Sequence, residues 1–132
     1  MRQVLIVLLS ALVLLCCRKQ VADDANIYRS WQWVNSVGGF TGQDVIKPAS
    51  NTVVTLTFWP NMTYTAALNG QIAFRGTFHI ATPGSQKILL LDNYTPINRL
   101  YMVGIGESIS ISNNELHLTD YQVSEPYTHK FK

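Results

Sequence analysis

Residues 63–80 read Thr-Tyr-Thr-Ala-Ala-Leu-Asn-Gly-Gln-Ile-Ala-Phe-Arg-Gly-Thr-Phe-His-Ile. Before Asn69-Gly70, Met62, Tyr64, Ala66 and Leu68 alternate with Thr63 and Thr65. After it, Ile72, Phe74, Gly76, Phe78 and Ile80 alternate with Ala73, Arg75, Thr77 and His79. Side chains on an extended chain point to opposite faces at every second residue, so each half carries one apolar face. Asn-Gly supplies the two positive φ angles of a two-residue I′ turn and joins the halves as a hairpin.

The same period extends in both directions. Trp31 and Trp33 share one face of a strand that opens near Ser30, opposite Ser30, Gln32 and Val34. Val54, Leu56 and Phe58 oppose Thr55 and Thr57, and Trp59-Pro60-Asn61 turns the chain. Pro83-Gly84 is a further turn before the short apolar run Lys87 to Asp92, and Asn93-Tyr94-Thr95-Pro96 breaks that run. Leu100 to Ile105 is apolar on both faces. Ile109 and Ile111 alternate with serines, Asn113-Asn114 turns into Glu115 to Tyr121 with Leu116 and Leu118 inward, and Tyr127, His129 and Phe131 share a face of the last strand. No stretch of this body carries a helical stripe. About eight or nine short strands joined by Gly, Pro and Asn turns predict an all-β barrel or sandwich. Val37 to Asn51, with Gly38-Gly39-Phe40-Thr41-Gly42 at its start, is expected to be a long loop. Phe40 either pins it to the surface or folds over a barrel end.

The first sixteen residues are a different material. Arg2 precedes an apolar core from Val4 to Leu15, the length of a secretory signal helix and short of the roughly 20 residues of a membrane span. Cys16 and Cys17 end this core, with Leu14 three places before Cys17 and a small residue immediately before it. That pattern resembles the bacterial lipobox. The resemblance implies a signal peptide over 1–16, lipidation of Cys17, a polar tether over 17–27 and a membrane as partner. Arg18 after the lipidated cysteine implies the outer membrane of the cell envelope. No cysteine follows Cys17, so disulfides, thiolate metal sites and cysteine nucleophiles are excluded from the body.

Trp31-Gln32-Trp33, Gly38-Gly39-Phe40-Thr41-Gly42, Leu56-Thr57-Phe58, Tyr64, Asn69-Gly70 and Gly76-Thr77-Phe78 together resemble the small lipocalin-like lipoproteins of Gram-negative bacteria. The likeness covers about residues 28–132 and implies a small antiparallel up-and-down β-barrel. It also implies a basic residue late in the barrel that stacks on the first-strand Trp, a place Lys130 could fill.

Composition narrows the function. The 132 residues are 47% hydrophobic and 14% charged, with a net charge of +2. A disordered chain pairs few apolar residues with high charge, so this chain should fold. The scattered bases form no stripe for nucleic acid. The histidines at 79, 117 and 129 show no paired metal-ligand spacing. None stands in a nucleophile motif, so neither metal, cofactor nor catalysis is expected. Asn61-Met62-Thr63 and Asn93-Tyr94-Thr95 match a glycosylation sequon, but turn-forming Asn accounts for both.

What remains is the barrel interior. Trp33, Phe58, Tyr64, Phe74, Phe78 and Tyr101 are expected to point inward, with Phe40 at one end, as the lining for a small apolar or amphipathic ligand. An eight-stranded barrel either is filled by such side chains or holds one small ligand. The alternative is a non-catalytic interaction module with a filled core and an outer patch around Trp59, Phe40 and Pro60.

Overall fold

The computed structural model describes residues 25–100, 102 and 106–132. Among these, nine strands follow a short 3-10 turn, Ala25–Ile27. They are β1 (Ser30–Gly38), β2 (Asp44–Ile46), β3 (Val54–Phe58), β4 (Thr63–Leu68), β5 (Gln71–Ala81), β6 (Ile88–Leu91), β7 (Glu107–Ser112), β8 (Glu115–Asp120) and β9 (Tyr127–Phe131). Strands β3 to β9 pair in chain order, all antiparallel, and β1 lies between β3 and β9. The ring is thus an eight-stranded, up-and-down antiparallel barrel. Closure leaves the ring without the open edges that invite unwanted pairing. The expected signal-peptide helix and Cys17 lie outside the described residues.

β1 closes the ring by changing partners along its length. Residues 30–32 pair with β3, while the stretch from Trp33 to Gly38 pairs with β9 and residues 36–38 also pair with β2. A bulge between Trp33 and Asn35 makes the second half possible. Strict alternation from Trp31 and Trp33 would turn Asn35 inward. The extra residue shifts the parity, so Ser36 points inward instead. At the end of β1 the backbone of Pro126 and Tyr127 passes so close to Gly38 that a Cβ there would run into the Pro126 carbonyl oxygen.

The turns follow their residue chemistry. Asn69 and Gly70 have φ of 52° and 80°, the I′ geometry expected for that dipeptide. Asn113 and Asn114, at 50° and 65°, make the same turn between β7 and β8. Asn tolerates the left-handed region because its short polar side chain can hydrogen-bond locally.

Two expectations are corrected. The loop expected over Val37 to Asn51 contains β2, which folds back on β1 through Ser36↔Ile46 and Gly38↔Asp44. The glycine-rich run is therefore a hairpin connection. Leu100 forms only an isolated bridge with Ile97, and Met102 is not in a strand. Residues 101 and 103–105 of that expected strand lie outside the described residues.

The core is the inward face of the ring. Trp31, Trp33, Leu56, Phe58, Tyr64, Phe78, Leu116, Leu118 and Phe131 are all buried. Ile27 is buried with them, and the Trp31 indole N–H donates to its carbonyl at 2.9 Å. Ile27, expected to end a free tether, is therefore docked on the barrel.

Candidate functional site

Five of the residues expected to line a ligand cavity lie on the inward face. There they meet other core side chains. Phe58 and Phe78 pack edge to face at 5.1 Å, Tyr64 and Phe74 at 6.1 Å, and Phe74 and Tyr94 at 5.6 Å. Aromatic pairs prefer such tilted or T-shaped contacts because the ring edge is positive and the face negative. The Tyr64 hydroxyl donates to the Asp92 carbonyl at 3.0 Å. Burial, and then the Asp92 charge, push its pKa up to about 12. Trp33 is buried with its indole N–H on Ser36 Oγ at 3.1 Å. Phe40 departs from the expectation: it is 86% exposed and lines no interior. Thr41, Gly42 and Gln43, which follow it in the β1–β2 connection, are themselves exposed and offer nothing for the ring to pack on. Tyr101 lies outside the described residues.

Lys130 does not stack on the first-strand tryptophan. The Arg29 guanidinium takes that place, 3.8 Å from the Trp31 ring, and also hydrogen-bonds Asn114. Lys130 instead pairs with Glu115 at 2.9 Å, beside Lys132 at 3.4 Å and His117 at 3.3 Å. Hydrogen bonds from Lys130 and then His117 hold the Glu115 carboxyl down at about 2.

A buried polar network occupies the inward face of β1, β9, β8 and β7. Register builds it. Ser36 lies opposite His129, Leu118 opposite His129, and Glu107 opposite Asp120, which is two residues beyond Leu118 on the same face. Ser36, Glu107 and His129 are 1% exposed and Asp120 is 7% exposed. Ser36 Oγ is 2.7 Å from His129 Nδ1, and His129 Nε2 is 3.2 Å from Asp120 Oδ1. The Tyr127 backbone N–H donates to Asp120 Oδ2 at 2.8 Å, and Glu107 shares a side-chain hydrogen bond with Asp120. Burial raises the Asp120 pKa. The bonds from His129, Tyr127 and Glu107, together with the His129 charge, outweigh it and leave the carboxyl below its ordinary value. An ionised Asp120 only accepts, so His129 Nε2–H donates to it; in the imidazole tautomer that carries this proton alone, Nδ1 accepts from Ser36.

These two carboxylates set an acid limit. A carboxyl whose pKa is depressed in the folded state adds stability that is complete above its unfolded pKa. That stability is lost as pH falls through the folded value. With ordinary values near 4.5 for Glu115 and 3.8 for Asp120, the melting temperature should decline as pH drops from 5 toward 2. Thermal scans at stepped pH check this. Asp120→Asn, which cannot titrate, should show a shallower decline than the unaltered protein.

On the outer face of the ring, Trp59, Pro60, Asn61, Thr65, Ile72 and Arg75 line an open groove of about 580 Å³. Trp59 and Ile72 are each 49% exposed. The groove sits where β3 turns into β4, and Met62 in that turn has φ of 62°. A large side chain in the left-handed region is strained by roughly 1–2 kcal/mol. Its amide donates to the Trp59 carbonyl at 3.0 Å, which fixes the turn that carries Trp59. Phe40 is not part of this groove. A smaller cleft of about 240 Å³ lies over Asn26, Arg29 and Trp31 beside the Asn113-Asn114 turn.

The sequence puts His129 on one face with Tyr127 and Phe131 but gives it no polar partner. Ser36, Glu107 and Asp120 were not connected with it. The alternation Tyr127-His129-Phe131 was the available signal, because it puts an imidazole between two aromatics on the inward side. Ser36 had none, since the bulge that turns it inward leaves no mark in the residue types. Comparison with known proteins adds no relative: no family model, no curated protein and no solved structure matches this chain.

Proposed function

We propose that this chain is a non-catalytic interaction module of the bacterial cell envelope, resembling the small lipocalin-like lipoproteins and held at the outer membrane by a lipid on Cys17. The observation that carries the interaction reading is how the aromatics are divided. Those on the inward face pack against one another, while Trp59 and Ile72 remain on the outer groove. Exposed aromatic and aliphatic side chains gathered in one groove mark contact surfaces on soluble folds. Arg75 is the charged residue of its lining. The partner is therefore a protein segment that brings an apolar side chain beside a carboxylate.

Catalysis has little support in the buried network, although its order is hydroxyl, imidazole, carboxylate. Ser36 Oγ is enclosed by the barrel and already accepts the Trp33 N–H. An acyl group would have to reach it through the sheet, and a nucleophile needs a site for the reacting atom about 3 Å away.

Photo-crosslinking tests the interaction. With p-benzoylphenylalanine in place of Thr65 in the lipidated protein in its own membranes, a discrete heavier adduct is expected. Arg75→Glu should abolish it, and the same probe in place of Ser110 should give none. Absence of any adduct dependent on Arg75 would contradict the reading.

A small apolar ligand has one observation in its favour. Phe74, Ile80, Leu91 and Tyr94 pack on the core but are only half-buried, so that part of the aromatic cluster is open to solvent. A saturable change in tryptophan fluorescence on titration with fatty acids would support this use of the barrel.

A further inference from the structure

We propose that Glu107, Asp120 and His129 form an interior site for a first-row divalent cation, with zinc as the best-matched ion and Ser36 and Trp33 as its supporting shell. Each residue offers a ligand atom, and the three atoms lie within 4.8 Å of one another. Zinc holds nitrogen and carboxylate oxygen at about 2.0–2.2 Å in a tetrahedron, which sets neighbouring ligand atoms about 3.3 Å apart. His129 Nε2 and Asp120 Oδ1 are already 3.2 Å apart. An ion between them takes the place of the proton on the imidazole nitrogen that faces it.

Three features separate this site from a surface cluster of acids. The first is burial, since all three residues are enclosed in the barrel. Two carboxyl groups side by side in such a place share either one proton or one cation. A divalent ion neutralises both. The second is the imidazole. Nitrogen donors suit zinc and other transition ions, whereas calcium and magnesium prefer oxygen throughout. The third is the orienting group behind the histidine. Ligating histidines fix their ring by donating the other N–H to an acceptor. Here Nδ1 faces Ser36 Oγ at 2.7 Å, and Trp33 holds that oxygen from the far side at 3.1 Å.

Loading the site changes one bond in a readable way. Without the ion, Nε2–H donates to Asp120 and Nδ1 accepts from Ser36. With the ion on Nε2, the imidazole stays neutral: its one ring proton is relocated by solvent exchange from Nε2 to Nδ1, and Nδ1–H then donates to Ser36. The histidine tautomer thus reports occupancy. Because β7, β8 and β9 each supply one ligand, the ion would also tie together three consecutive strands of the ring. None of this depends on the outer groove, so either can fail alone.

The test uses the full chain with Cys16→Ser and Cys17→Ser, so that no thiol competes, after treatment with chelator. Equilibrium dialysis with zinc chloride should show one ion bound per chain, and calcium chloride at the same concentration should show none. Zinc should raise the melting temperature by several degrees, and nitrogen NMR should show His129 passing from the Nε2–H to the Nδ1–H form. Glu107→Gln and Asp120→Asn keep the side-chain shapes and should each weaken zinc binding at least about tenfold. If either variant fails to fold, the tautomer of His129 in the parent protein decides alone. No uptake of zinc would overturn the proposal. So would uptake that leaves the His129 tautomer unchanged, because the ion would then sit elsewhere, such as near His79 or His117.

Discussion

Asp120→Ala is expected to destabilise the metal-free barrel by about 3–5 kcal/mol, the range for breaking a buried, hydrogen-bonded charged network by removing one partner. The carboxylate accepts from His129 Nε2 at 3.2 Å and from the Tyr127 backbone N–H at 2.8 Å. It also shares a bond with Glu107, which is as deeply enclosed. Alanine takes away the acceptor for both donors. Asp120→Asn keeps the volume and one acceptor, so its cost should be nearer about 1–3 kcal/mol. Urea unfolding measures both, with an unchanged m-value required for the comparison. A loss below about 1 kcal/mol for alanine would mean that water reaches the network.

Trp31→Ala should have an effect of similar size by a different route. The side chain is fully buried, and large-to-small changes of this kind cost about 3–5 kcal/mol through lost burial and a residual cavity. Two further contacts go with it. The indole N–H ties the 3-10 turn at Ile27, and the Arg29 guanidinium lies 3.8 Å above the ring, an interaction of about 0.5–1 kcal/mol in exposed settings. The melting temperature should fall by on the order of 20 °C for a domain of this length. Trp59→Ala is the control. Trp59 stands half in solvent on the groove, and its loss should change stability by no more than about 0.5 kcal/mol. Near-equal effects at the two positions would contradict the division of indoles between core and surface.

Much of the ring can be read from residue types because its signals are local. Alternation from Tyr64 to Leu68 and from Phe74 to Ile80, with Asn69-Gly70 between the halves, specifies β4, β5 and their turn. The Asn113-Asn114 break specifies β7 and β8 in the same way. Ile72, expected on the inward face with Phe74, is turned out to the groove by the register shift opposite Ala66 and Ala67. Strand β2 was hidden because Asp44-Val45-Ile46 is short and mostly exposed, so no alternation builds up. Its pairing is decided by β1, which lies next to it only once the chain has turned. The buried network was hidden for a related reason. Serine, aspartate, glutamate and histidine are common on solvated strand faces. Only the cross-strand register, with the bulge near Val34 setting its phase, turns Ser36 and His129 toward Asp120 and Glu107. The aromatic lining was legible as inward-facing, but whether rings meet a ligand or one another depends on distances across the barrel. The outer groove was legible only in part: Trp59 and Pro60 belong to it, whereas Phe40 stands alone.

The central claim is that the first-strand indoles are sealed inside a closed ring while the third stands on the outer surface. Acrylamide quenching of the Trp59→Phe variant tests it most directly, because Trp31 and Trp33 are then the sole emitters. Blue-shifted emission that acrylamide scarcely quenches, regaining a quenchable component when Trp59 is restored, is the predicted result. Red-shifted, readily quenched emission from the variant would place those two indoles in water and contradict the closed barrel.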